Sequence, residues 1–169
     1  MAQFVNLNPG SLRELHVGNE RLVSYNVEMT EVTGGTFWKA YTPAQIAGTE
    51  PFVLKGGFLG NATASTDLMQ YYDPSDLSDK KLRKLAKEIG PAWVRVSGTW
   101  STKTYYDFDG HTNGVIPEGY NAILTREQWL GVLDFCKDIG AKLLISVADC
   151  EGLHHADEPW NPSQAEQIF

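Results

Sequence analysis

The stretch Trp93-Val94-Arg95-Val96-Ser97-Gly98-Thr99-Trp100 decides how the rest of the chain is read. It is a short apolar run, entered from Gly90-Pro91 and broken at its far end by a glycine between two hydroxyl residues, the pattern of a buried parallel strand. In folds built from repeated strand–helix units, ligands sit at the carboxyl ends of the strands, which points Ser97, Gly98 and Thr99 at a substrate. The same three residues also suit an ordinary turn at a strand end.

Working outward, two further strands share its character. Residues 22–29 alternate, with Val23, Tyr25 and Val27 on one face and Ser24, Asn26 and Glu28 on the other. The polar face lines an interior or a cleft if helices cover the opposite side. Residues 142–149 form the third strand, ending at Asp149. Helices separate the strands. Ser78 is the expected N-cap of one, with Leu82, Leu85, Ala86 and Ile89 as its stripe; Thr125-Arg126-Glu127-Gln128 is a capping box for another, with Trp129, Val132, Leu133 and Cys136. A third helix is expected to start at Asn161-Pro162-Ser163-Gln164 and to carry Ala165, Ile168 and Phe169. An internal echo supports this parsing, because Lys87-Glu88-Ile89-Gly90 precedes the second strand as Lys137-Asp138-Ile139-Gly140 precedes the third. Residues 3–7 read as a short opening strand before the turn Asn8-Pro9-Gly10, residues 30–72 as one elaborate loop, and residues 101–121 as a second loop with a turn at Asn113-Gly114.

Alternating strands and amphipathic helices mean βα units and a parallel sheet. The strands begin at Val23, Val94 and Leu143, 71 and 49 residues apart, against about 31 per unit in a barrel of eight. The excess lies in the loops after strands, where barrel active sites are built. The expected fold is therefore the N-terminal part of a (β/α)8 TIM-type barrel, about three units, with a doubly wound open sheet as the alternative. Three units cannot close a barrel, so the remainder is expected in cis or from a second chain.

Composition narrows the function. The 169 residues are 42% hydrophobic and 21% charged with a formal net charge of −7, and no basic run exceeds Lys80-Lys81, which argues against nucleic acid or an anionic membrane as partner. No apolar run reaches the ~18 residues of a membrane span. Residues 1–10 lack the pattern of a signal peptide, so the chain as written is expected in the cytoplasm, with secretion open if a leader precedes it. Cys136 and Cys150 read as free thiols, and the sequon Asn61-Ala62-Thr63 matters only in a secreted protein. No nucleotide-binding or serine-hydrolase motif occurs.

Three groups of residues could carry chemistry. Glu28, at a strand end, is a candidate acceptor for a substrate hydroxyl, or an ion-pair partner for Arg95; Arg95 points to the same side as Ser97 and Thr99, and either orients a carboxylate or ties strands together. Asp149 sits at the third strand end, where it could bind substrate or cap a turn. Glu151, His154, His155 and Asp157 are metal-ligand types without a recognised spacing and read as a solvated loop, so neither metal nor cofactor is expected. The aromatics Phe37, Trp38, Tyr41, Trp100, Tyr105 and Tyr106 fall in the two strand-end loops, where rings beside polar groups suit sugars and burial of the loops is the competing reading.

With these residues in view, the chain resembles the N-terminal part of glycoside hydrolase family 79, the heparanase and β-glucuronidase family. The likeness is carried by the strand near Phe4, the strand 22–29 ending in an acid, and Leu82-Arg83-Lys84-Leu85-Ala86 leading through Pro91-Ala92 to Val94-Arg95-Val96-Ser97-Gly98-Thr99. Trp160-Asn161-Pro162-Ser163-Gln164-Ala165 completes it. The resemblance implies a retaining barrel hydrolase, with residues 1–20 as a strand and linker to an accessory β-sandwich and residues 21–169 as the incomplete barrel. It implies that Glu28, Ser97, Gly98 and Thr99 hydrogen-bond a β-glucuronide-type or related glycan, and that Arg95 sits beside the catalytic pair. Both catalytic glutamates belong to later strands of the family, so no catalytic residue is expected in this chain. Glu28 and Ser97 differ from the residues commonest in the heparanase branch, and related barrel families act on arabinofuranosides or xylosides. The competing function is a noncatalytic carbohydrate-binding or assembly subunit that completes a barrel with a partner chain; a third, metal-dependent reading would use His154 and His155.

Overall fold

The computed structural model describes residues 5–6, 8–50 and 69–169. In chain order the elements are β1 (Ser24–Glu28), α1 (Met29–Thr33), β2 (Gly35–Trp38), α2 (Pro43–Ile46), β3 (Met69–Tyr72), α3 (Lys80–Glu88), β4 (Trp93–Ser97), β5 (Thr104–Asp107), β6 (Ala122–Thr125), α4 (Arg126–Asp138) and β7 (Lys142–Ile145), with 3-10 turns at Pro9–Ser11, Ser101–Lys103 and Ala165–Gln167.

β1, β4 and β7 form a parallel sheet in the order β1-β4-β7. Its register pairs Asn26 with Arg95 and Arg95 with Leu144, while Tyr25 lies beside Val94 and Val94 beside Leu143. Alternation therefore sends two rows of side chains to opposite faces. Val94 and Val96 are buried against Trp129, Val132, Phe135, Cys136 and Ile139, with Met29, Leu124 and Tyr106 in the same core. Each fully buried Val, Leu or Met contributes about 1.5–3 kcal/mol relative to exposure. On the other face Asn26, Arg95 and Leu144 are exposed. This is a mixed α/β architecture with alternating strands and helices, and no closed barrel is present among the described residues.

The repeated junction forms as the echo predicts. Gly90 (φ 86°) ends α3 and Gly140 (φ 69°) ends α4, each a left-handed position that favours glycine. The two copies also meet, because Lys87 Nζ lies 2.8 Å from Asp138 Oδ1 and Arg83 Nη2 lies 2.7 Å from Asp134 Oδ2. At the amino ends of the strands, Arg21 Nη1 donates to the carbonyls of Ala92 (3.1 Å) and Gly140 (2.9 Å), stitching the two short helix-to-strand turns together. The capping box at Thr125 and the turn at Asn113-Gly114 form as expected.

Several boundaries move. The first strand stops at Glu28 because Glu28 is the N-cap of α1, its N–H donating to Glu31 Oε2 at 2.8 Å. Residues 30–72 are not one loop, since α1, β2, α2 and β3 all fall there and β2 pairs antiparallel with β3. The two strands are far apart in sequence, so no local hairpin signal marks them. The second loop likewise contains β5, which pairs parallel with β6. α3 is capped by Asp79, whose carboxylate accepts from Leu82 N at 2.7 Å, while Ser78 instead bonds Asp76. β7 ends at Ile145 because the chain beyond it bonds to the loop after β4: Ser101 Oγ donates to the Ser146 carbonyl, and Asp149 N to the Thr102 carbonyl at 2.8 Å. The expected third helix is a single 3-10 turn that buries Ala165 and leaves Phe169 exposed. In α4 the buried stripe is Trp129, Val132, Phe135 and Cys136, with Leu133 exposed. Of the stripe expected on α3, only Ala86 is buried; Leu82, Leu85 and Ile89 are exposed. Most of the expected opening strand, and the sequon at Asn61, lie outside the described residues, and Val5 and Asn6 have no regular structure.

Candidate functional site

Glu28 stands at the carboxyl end of β1, beside Ser97 at the end of β4. Its Oε2 is shielded from solvent and has no hydrogen-bond partner. Burial raises its pKa, Glu31 raises it further, and the charge of Arg95 pulls it back down. A carboxylate acceptor left unmet inside a protein is costly unless a ligand or a proton meets it.

Gly98 makes room for this carboxylate. Its φ of 100° is open to glycine alone, and a Cβ built there would fall onto the Glu28 carboxyl group. Backbone conformation and close approach thus independently demand glycine. Ser97 is buried, 1% exposed, whereas Thr99 is exposed with its carbonyl accepting from Thr102 Oγ1 at 2.8 Å. Arg95 rises from the open face of the sheet, and its Nη2 lies 3.5 Å from Ser146 Oγ.

A cleft of about 260 Å³ adjoins Glu28. Glu31, Asp73, Phe37, Trp38 and Tyr72 line it together with the hydroxyl residues Thr30 and Ser75. Trp38 is 51% exposed, Tyr72 Oη donates to its carbonyl at 2.8 Å, and Phe37 is held edge-on against Trp100 with ring centroids 4.9 Å apart. Most of these walls come from α1, β2 and β3, the elements hidden in what reads as a loop, and the rest from Asp73 and Ser75 just beyond β3. Of the residues named from sequence, Glu28 and the aromatics Phe37 and Trp38 line the cleft, with Gly98 backing Glu28. Glu31, Asp73, Tyr72 and Ser75 escaped the sequence reading; the Glu-x-x-Glu spacing of Glu28 and Glu31 was the available signal for the cap.

The remaining candidates form a separate group. Asp149 Oδ1 lies 2.8 Å from His154 Nε2, and the pKa of His154 is raised, first by the His155 carbonyl and then by Asp149. Tyr106 belongs to the core, its hydroxyl accepting from Ala148 N at 3.1 Å and pushed up to about 12 by burial. Of the six aromatics, Phe37 and Trp38 thus line the cleft and Tyr106 and Trp100 pack in or on the core, while Tyr41 is exposed and Tyr105 stands against His111. Cys136 and Cys150 are free, buried thiols, and burial lifts Cys136 to about 11. No helix among the described residues is long and apolar enough to cross a membrane.

Compared with known proteins, the chain matches no family model and no curated protein.

Proposed function

We propose that this chain holds a glycan at the carboxyl end of its parallel sheet, as the substrate-positioning part of a retaining, barrel-type glycoside hydrolase. The observation that carries the reading is the unmet Oε2 of Glu28 beside an aromatic-walled cleft. A sugar hydroxyl supplies the missing donor, and the exposed face of Trp38 suits the C–H patches of a pyranose or furanose ring. Arg95 is assigned to orienting catalytic carboxylates contributed by later strands, Ser97, Gly98 and Thr99 to shaping the rim beside Glu28, and Asp149 to a further substrate contact beside His154.

Charge refines the substrate. Among the described residues the lining offers the carboxylates of Glu28, Glu31 and Asp73 and no Lys or Arg. A uronate brought there is repelled, so within the glucuronide-type and related glycans the cleft favours neutral ones. Titration of the purified chain with aryl β-xyloside and aryl β-glucuronide, followed by tryptophan fluorescence, tests this. The neutral glycoside is expected to bind the more tightly, Glu28→Gln to weaken it about fivefold, the equivalent of one hydrogen bond of ~1 kcal/mol, and the chain alone to cleave neither. Absence of binding to both, or an unchanged affinity in Glu28→Gln, overturns the assignment.

A second reading, an assembly subunit that completes its barrel with a partner chain, is favoured by the apolar stripe Leu82, Leu85 and Ile89, exposed on α3.

A further inference from the structure

The loop after β5 brings Asp107, Asp109 and His111 together, their ligand atoms all within 4.8 Å of one another. Alternate residues of Asp107-Phe108-Asp109-Gly110-His111 reach one point because Gly110 takes a left-handed conformation (φ 74°) and turns the chain back. Asp107 ends β5 and its side chain is only 5% exposed. Thr112 satisfies one of its oxygens, donating from both N–H (3.3 Å) and Oγ1 to Oδ2. The other, Oδ1, is buried without a hydrogen bond. It faces His111 Nδ1 at 3.2 Å, but that nitrogen is closer to Asp109 Oδ1, at 2.6 Å, and one N–H serves one acceptor. A buried carboxylate oxygen is therefore left aimed into a cluster of metal-ligand atoms.

We infer that Asp107 Oδ1, Asp109 Oδ1 and His111 Nδ1 form a binding site for a divalent zinc ion. Two carboxylates match its charge, and the imidazole nitrogen selects zinc over calcium or magnesium, which prefer all-oxygen shells. Three protein ligands with a side open to solvent are a known zinc arrangement. The openness is present here, for the side chains of Asp109 and His111 are 78% and 56% exposed. Zinc–ligand bonds of about 2.0–2.2 Å require the Asp109 carboxylate to draw back by roughly an ångström or less, and its exposure leaves it the room. With Nδ1 on the metal, any proton it carried passes to solvent and the ring keeps its hydrogen on Nε2. Tyr105 Oη lies 3.1 Å from that nitrogen and accepts it, fixing the ring as an outer partner does for metal-bound histidines.

The test is isothermal titration of the chelator-treated chain with zinc chloride, and separately with calcium chloride. One zinc per chain is expected, with affinity lost in His111→Ala and lowered about tenfold or more in Asp109→Asn. Both residues are on the surface, so circular dichroism of the two variants should match the parent, whereas a change at buried Asp107 risks the fold. Lack of stoichiometric zinc uptake, uptake unchanged in His111→Ala, or calcium binding tighter than zinc at this loop overturns the assignment.

Discussion

Glu28 ionises against its own surroundings, and the sign of that conflict gives a prediction. Burial raises its pKa above the ordinary 4.5, and the nearby Glu31 adds to the rise. The folded chain therefore holds this proton to higher pH than the unfolded chain does, so stability is lost as pH climbs from the ordinary value through the raised one. Glu28→Gln removes the ionisation and replaces one of the two acceptor oxygens by an amide NH2. The variant is expected to melt higher than the parent at neutral pH, with the difference closing as the pH drops below 4.5; thermal melts across pH check this, and a gap that persists in acid would refute it. The acid itself was legible in the sequence, from alternation along the first strand. Its burial was not, because the atoms that cover it belong to other segments, Gly98 among them.

At the scale of elements, hydrogen bonds rather than periodicity explain where segments begin and end. The segment around Gln164 reads as a helix start, yet only one 3-10 turn forms. Its real work is to close the loop layer: Gln164 Oε1 accepts from Tyr106 N at 2.6 Å, and Trp160 Nε1 donates to the Ala148 carbonyl at 3.0 Å. Gln164→Ala strands a buried backbone N–H on β5, and is expected to destabilise the chain by about 1–3 kcal/mol. Urea unfolding measures it; a midpoint unchanged from the parent would mean that water replaces the amide. Across the helices, Arg83 and Lys87 on α3 face Asp134 and Asp138 on α4. With their carboxylates open to solvent, such pairs are worth little individually.

For the whole molecule, the balance between covered and uncovered apolar surface is decisive. One face of the parallel sheet is packed under α4, while α3 leaves Leu82, Leu85 and Ile89 exposed, and among the described residues β1 and β7 are the outer strands of their sheet. Contiguous apolar surface of this kind drives association. Sedimentation velocity of the purified chain is expected to show concentration-dependent self-association, reduced in the double variant Leu85→Gln, Ile89→Gln; a monomer at every concentration would contradict it. The amino-acid sequence by itself determined the local features: the strand character of β1, β4 and β7, the glycine-ended helices before β4 and β7, the capping box at Thr125 and the turn at Asn113-Gly114. Each of these depends on residues within a few positions of one another, or on a period that such residues repeat. Only the tertiary structure decided the pairing of β2 with β3 and of β5 with β6, the cleft against Glu28, and the meeting of the α3 and α4 charges. Those features join segments distant along the chain, where the free energy comes from packing and from desolvated polar groups finding partners, and no local pattern records which partner is found.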